Sequence, residues 1–159
     1  MTDHYWLFDA EESRLSDQDI ATLTGTLVPF AQQMLRQHGE FYPFAATMDK
    51  GGAVAQVAGD IGSERPGSAE MIAFLQGALR AQAEQGELRA CGICLNVGAR
   101  LPGYADKVDA ICCQLEHSDG RAVQVFVPFR KGFLGKLKFD GPVALPGEAV
   151  AFRPSGGIE

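Results

Sequence analysis

The chain has 159 residues, of which 46% are hydrophobic and 21% are charged, with a formal net charge of −6. These values are typical of a globular protein of one domain and exclude a disordered or fibrous chain. The negative charge argues against general affinity for nucleic acid or an anionic membrane, and no apolar run approaches the roughly 18 residues of a membrane span.

Residues 1–15 combine an aromatic cluster with an acidic stretch and lack the basic start of a secretion signal. The aromatic side chains Tyr5, Trp6 and Phe8 would be unfavourable in water. We therefore expect this segment to dock on the rest of the protein or on a second copy, which makes these three residues a candidate homodimer interface.

A first helix is predicted from Ser16, a favourable N-cap, to residues just before Gly39, which suits the position after the helix end. Pro29 predicts a kink, with two helical pieces meeting near residues 26–28. The apolar face repeats at three- and four-residue spacing. Its members are Ile20, Leu23, Leu27, Phe30 and Met34.

A strand, a turn at residues 49–52 and a second strand follow, and the aromatic run 41–44 is expected to pack in the core. A second helix is predicted from an N-cap at Ser68 to Gly86. The residues of its buried face are predicted to be Met71, Phe74, Leu75, Ala78 and Leu79.

From Leu88 onward the hydrophobic period changes to two, which predicts strands. Strand 109–117 and its return, 121–127, flank an Asp-Gly turn, and Pro128 indicates an edge or the end of a strand. The residues that follow, up to 152, can hold one or two short strands, and residues 153–159 are predicted to form a flexible tail. The prediction is one α+β domain in the order α-β-β-α-β-β-β, with an antiparallel sheet of about five to six strands and two long helices packed on it.

The four cysteines lie in strand-like segments, where a reduced thiol behaves as a small hydrophobic side chain. Cys91 and Cys94 form a C-x-x-C, but alternation along a strand points them to opposite faces, and Cys112 and Cys113 are separated in the same way. This arrangement suits neither a redox pair nor a zinc site. Reduced thiols without a secretion signal predict a cytoplasmic location.

The order helix, hairpin, helix, C-x-x-C resembles the opening of the zinc-dependent nucleoside deaminases, which carry His-Ala-Glu at the second helix and Pro-Cys-x-x-Cys later. The matching positions here are Ser68-Ala69-Glu70 and Ala90-Cys91. Serine is a poor substitute for the metal-binding histidine, and no proline precedes Cys91. We therefore expect no metal, no cofactor and no deaminase activity.

His117 ends the strand before the Asp-Gly turn and shares a strand face with Cys113. Residues four apart on one strand are separated by roughly 13 Å, which excludes a Cys-His nucleophilic pair. We expect His117 to be a solvated histidine at the turn, and no catalytic residue is assigned.

Residues 129–139 interleave basic side chains with aromatic and aliphatic ones. Such a pattern can bind an anionic ligand, a phosphate or an acidic partner surface. It is also typical of an edge strand whose lysines prevent aggregation. The candidate ligand- or partner-binding residues are Arg130, Lys131, Phe133, Lys136 and Lys138.

The motifs Gly39-Glu-Phe-Tyr-Pro-Phe-Ala and Val127-Pro-Phe-Arg-Lys-Gly resemble those of a family of small bacterial proteins with no assigned activity. The resemblance covers most of residues 16–152 and implies no catalytic residue. The element order is similar to that of the roadblock and profilin-like proteins, which would imply a module that dimerises or scaffolds.

These features favour a non-enzymatic cytoplasmic binding module, such as an acidic immunity-type inhibitor of a basic toxin or a dimeric scaffold, whose partner is a protein or a second copy of the chain. The alternative is a small-ligand-binding protein or an enzyme with an anion site near Arg130 to Lys138. A defined pocket with a catalytic acid or base would favour the alternative, and an exposed apolar face the module.

Overall fold

The computed structural model describes the backbone of residues 2–58 and 67–153 and the side chains of residues 14–57 and 67–153. Within these ranges two helices and seven strands follow one another. They are α1 (Thr2–His38), β1 (Phe44–Asp49), β2 (Val54–Ala58), α2 (Ser68–Glu84), β3 (Leu88–Ala99), β4 (Val108–His117), β5 (Ala122–Lys131), a 3₁₀ turn (Phe133–Gly135), β6 (Leu137–Phe139) and β7 (Val143–Pro146). Neither described helix has a stretch that is long and apolar enough to cross a membrane.

The strands form one antiparallel sheet in the order β2-β1-β3-β4-β5-β6, and β7 pairs with β5 alongside β6. The predicted α+β class with two helices on an antiparallel sheet is confirmed. The predicted element order is only roughly matched, because it stops at β5, whereas the one or two short strands expected before residue 152 are present as β6 and β7. The Asp-Gly hairpin is confirmed, with Glu116 paired to Ala122 across the turn.

Helix α1 begins at Thr2, not at Ser16, and runs without a break past Pro29. Pro29 lies on the exposed side of the helix, so the Gly25 carbonyl that it leaves without an N–H donor faces water. The predicted division into two helical pieces is therefore wrong. The helix ends as expected, since Gly39 has a φ of 78° and its N–H donates to the Leu35 carbonyl at 2.8 Å.

Both faces of the sheet are covered, one by α1 and the other by α2. On the α1 face, Leu23 and Leu27 pack with a first set of sheet residues, including Cys94 and Cys113. On the opposite face, Leu75 packs with a second set, including Cys91. This double burial explains why β3 and β4 are apolar at consecutive positions, and it confirms that Cys91 and Cys94 point to opposite faces.

Helix α2 begins at Ser68 with Gly67 in the cap position, so Ser68 is not the N-cap. The helix buries Met71, Leu75 and Leu79, while Phe74 is 44% exposed rather than part of the buried face. In the aromatic run before β1, Phe44 is buried as expected, but Tyr42 is exposed.

Pro128 lies inside β5. On the side of β5 that faces away from β4, it lies between the stretch that pairs with β7 and the stretch that pairs with β6. Residues up to Phe126 pair with β7, and pairing with β6 starts at Phe129. The Pro128 carbonyl accepts a hydrogen bond from Asp140 N–H at 2.8 Å. Since the nitrogen of a strand residue points to the same side as its carbonyl, the missing N–H falls at this gap. Pro128 is therefore neither at an edge nor at the strand end.

Candidate functional site

The candidate binding residues lie on the hairpin formed by β5, the 3₁₀ turn and β6. Arg130 is directly opposite Lys138 in this hairpin, and Lys131 is opposite Leu137. Like charges placed opposite each other on a sheet are destabilising. Here the Arg130 guanidinium lies near Asp140 and the Lys138 chain lies over Gly132, so the hairpin presents two separate positive charges to an external anion.

A cleft of about 1180 Å³ opens beside this hairpin, between it, the end of α1 and the facing ends of β3 and β4. Among the described residues that line it, the basic side chains outnumber the acidic ones by five to one. The basic residues are Arg36, Lys107, Arg130, Lys131 and Lys136, and the acidic residue is Asp109. The chain has a net charge of −6, but the local excess of positive charge in the cleft attracts anions.

Two contacts help to position the cleft cations. Arg36 lies over the ring of Phe139 at 5.0 Å from its centre, a cation–π contact that does not use the N–H groups at the edge of the guanidinium. The Arg130 guanidinium is 3.8 Å from the Asp140 carboxylate, which also accepts a hydrogen bond from Tyr104 Oη at 2.7 Å. Asp140 is shared between two donors and offers Arg130 only a long contact, so it compensates the Arg130 charge only in part.

Lys107 reaches the cleft from the start of β4. Its aliphatic chain covers Gly98, where an added Cβ would lie 2.9 Å from Lys107 Cε. Lys138 behaves similarly over Gly132, where a Cβ would lie 2.9 Å from Lys138 Cε. The two glycines thus give these lysine chains room to lie along the backbone.

The turn of the hairpin exposes two large apolar side chains. Phe133 is 85% exposed and Leu134 is 82% exposed. Leu134 also has a φ of 63°, a left-handed conformation that costs a residue other than glycine roughly 1–2 kcal/mol. The turn therefore displays apolar surface without gaining stability from packing it.

Three of the five predicted binding residues, Arg130, Lys131 and Lys136, line the cleft, whereas Lys138 and Phe133 do not. Two basic residues that the sequence analysis missed, Arg36 and Lys107, also line it. Arg36 lies far away in sequence, and no local pattern marks it. Lys107 could have been found, because extending the β4–β5 register two residues beyond the Asp109–Phe129 pair places it across from Lys131. Phe133 projects from the turn and does not line the cleft.

The four cysteines are buried and unpaired. Cys94 and Cys113 are cross-strand neighbours with their sulfurs 3.9 Å apart. Burial raises the pKa of Cys91, and it raises that of Cys112 to about 12, so these thiols are protonated at neutral pH. The described residues contain no group of three histidine, cysteine or acidic side chains placed to hold a metal ion.

His117 is buried, so the predicted solvated histidine is wrong. Its Nε2 is 2.8 Å from Asp19 Oδ2, and its Nδ1 accepts a hydrogen bond from the Asp119 backbone N–H. Since Nδ1 accepts, Nε2 is the ring nitrogen that donates to Asp19. Ser16 donates to Asp119 rather than to His117, and it is buried, so these residues do not form a nucleophile with its base.

Asp19 also accepts two hydrogen bonds from Arg89, at 2.8 and 2.6 Å. The Arg89 guanidinium lowers the pKa of Asp19, and the bond from His117 adds to this, while burial opposes it. This cluster joins α1 to β3 and β4. Asp19 and His117 lie 98 positions apart in sequence, which is why no local pattern revealed it.

The candidate interface residues Tyr5, Trp6 and Phe8 lie on the first turns of α1. Their side chains are outside the described residues, as is the tail at 154–159. The homodimer interface and the flexible tail stay predictions.

Comparisons with known proteins add no functional assignment. No model of a known protein family matches the chain. No curated protein and no solved structure matches it either.

Proposed function

We propose that this protein is a non-enzymatic cytoplasmic binding module that recognises an anionic group of its partner in the basic cleft. The observation that carries the proposal is the convergence of five basic side chains, from α1, the residue before β4, β5 and the turn before β6, on one cleft of an acidic protein. Basic side chains gathered from distant parts of the chain form a site for carboxylate or phosphate groups. The four reduced, buried thiols support a cytoplasmic location.

The charge of the cleft favours an acidic partner over the basic partner that the net charge of the chain suggests. An immunity-type inhibitor of a basic toxin would use another surface. A dimeric scaffold stays compatible with the cleft, since a second copy of this acidic chain can supply carboxylates.

The alternative is a small-ligand-binding protein or an enzyme with its site in the same cleft. The presence of a defined cleft favours this alternative. The chemistry of its walls favours binding alone, because the described lining contains no histidine, cysteine, serine or threonine and only one carboxylate, that of Asp109. The described lining therefore holds no hydroxyl or thiol nucleophile paired with a base.

The experiment is calorimetric titration of the purified protein with two soluble anions, inorganic pyrophosphate and a hexaglutamate peptide. We expect binding that weakens as salt is raised, since the cleft is open to solvent. Lys136→Glu should weaken binding at least about fivefold, because it replaces an attractive charge with a repulsive one.

The matched control is Lys50→Glu, which makes the same charge change at the exposed β1–β2 turn. It should leave the affinity within about twofold of the original, because charges beyond a Debye length are screened. Equal losses for the two variants would show that only net charge matters. That result, or no binding of either anion, would reject the proposed function.

A further inference from the structure

The tip of the β5–β6 hairpin combines exposed apolar side chains with neighbouring cations, and neither the cleft nor the core accounts for the apolar pair. Phe133 and Leu134 are both more than four-fifths exposed, Leu134 is held in a left-handed conformation, and basic residues precede and follow the pair. In the part of the chain that the structure describes, this pair is exposed apolar surface on a turn.

From this arrangement we propose that the tip docks on an anionic lipid bilayer, with Phe133 and Leu134 entering the interface and the neighbouring cations contacting lipid phosphates. The proposal rests on the proposed function, since the cleft cations would face the same anionic surface. Under this proposal, the partner of the binding module is a lipid surface.

The distribution of charge around the tip favours this partner. Arg130 and Lys131 lie before the turn, Lys136 and Lys138 lie after it, and residues 129–139 contain no acidic side chain. The chain of Lys138 runs over Gly132, so it is directed toward the tip. Each lysine or arginine near an anionic bilayer strengthens binding about fivefold.

The shape of the tip favours a bilayer over a protein pocket. Lipid headgroups move freely in the bilayer, so each cation can find a phosphate wherever it lies. Arg130 and Lys138, which are opposite each other in the hairpin, therefore need no partner with acidic groups at matching positions. Two apolar side chains on a turn can enter the boundary between headgroups and acyl chains, a layer roughly 5–10 Å deep. A protein partner would need a pocket shaped for the tip and acidic residues placed around it.

The net charge of −6 does not oppose such local docking. At physiological ionic strength the screening length is about 8 Å, so the bilayer interacts mainly with the charges next to it. The sequence predicts that this acidic chain lacks general affinity for anionic membranes, and the present proposal concerns the hairpin alone.

The test is cosedimentation with vesicles of phosphatidylcholine alone or with about one-third phosphatidylglycerol. We expect binding to the anionic vesicles at least about tenfold stronger than to the neutral ones. Phe133→Gln combined with Leu134→Asn should lower this binding at least about tenfold, because it removes the apolar pair. Both positions are exposed and asparagine tolerates the left-handed conformation, so this variant should keep the thermal unfolding midpoint of the original.

The matched control is Phe74→Gln, which removes an exposed aromatic side chain on α2 and should leave vesicle binding unchanged. Unchanged binding of the tip variant, or equal binding to both kinds of vesicle, would overturn the lipid proposal. Binding of hexaglutamate by a protein that ignores anionic vesicles would also overturn it, while leaving the basic cleft as the site of a protein partner. If the protein bound neither pyrophosphate nor hexaglutamate, the proposed function itself would be rejected.

Discussion

Asp19 accepts three hydrogen bonds, two from Arg89 and one from His117, and so connects the first helix to the sheet. The carboxylate and the imidazole are both buried, whereas Arg89 is partly exposed. Once Asp19 is removed, these donors have no acceptor, and an unpaired donor in a partly dry site is costly.

We expect Asp19→Ala to lower the free energy of unfolding by about 2–4 kcal/mol at pH 7, measured by urea denaturation. The control is Asp17→Ala, two residues away on the same helix, which breaks an exposed ion pair with Arg121. That variant should lose less than about 1 kcal/mol. Similar losses for the two variants would contradict the account of the Asp19 cluster.

The contribution of Asp19 should also depend on pH. Its pKa is lowered from the ordinary value of 3.8 in the folded protein, so the unfolded chain takes up the proton first as pH falls. The stabilisation is complete above the unfolded pKa and is lost as pH falls through the lowered folded one. The difference between Asp19→Ala and the original protein should therefore shrink below pH 3.8. A difference that stays constant there would contradict this prediction.

At the scale of elements, Gly92 sets how closely α1 approaches the sheet. An added Cβ would lie 2.7 Å from Leu115 Cδ2 and 3.0 Å from Leu27 Cδ1. Gly92→Ala should therefore cost about 1–3 kcal/mol in the free energy of unfolding, because the core is overpacked. Gly77→Ala, on the open side of α2 with nothing within 4 Å, should gain about 0.5–1 kcal/mol. A neutral Gly92→Ala would contradict the close approach of α1.

The segment after β7 is held by Glu116 of β4, whose carboxylate accepts the backbone N–H groups of Val150, Ala151 and Phe152 at 2.8–3.1 Å. Glu116→Gln should speed hydrogen exchange of these three amides at least about tenfold, because hydrogen bonds to a charged acceptor are the stronger kind. The control is Glu148→Gln, the same change at an exposed position. Equal exchange rates in both variants would contradict the anchoring role.

At the scale of the whole molecule, the sequence predicts the local elements well. The alternation from Leu88, the Asp-Gly hairpin and the glycines after both helices each depend on a few neighbouring residues, and each is confirmed. The start of α1 was missed because Ser16 matches an N-cap, yet its hydroxyl is used by Asp119 across the molecule. Local patterns cannot report contacts between residues about a hundred positions apart.

The cleft likewise has one part that local sequence patterns predict and one part that depends on contacts between distant residues. Its hairpin side was visible as a run of basic and aromatic residues, whereas Arg36 joins it only because α1 ends beside the hairpin. The placement of the two helices on opposite faces of the sheet was likewise not predicted, because an apolar strand face does not reveal which helix covers it.

The central claim, that the basic cleft binds an anion, is tested most directly by recording amide chemical shifts of isotopically labelled protein during titration with pyrophosphate. We predict saturable shifts concentrated at residues 129–139 and around Arg36 and Lys107, all weakened by salt. Shifts that are absent, or that are spread over the surface without saturating, would contradict the account.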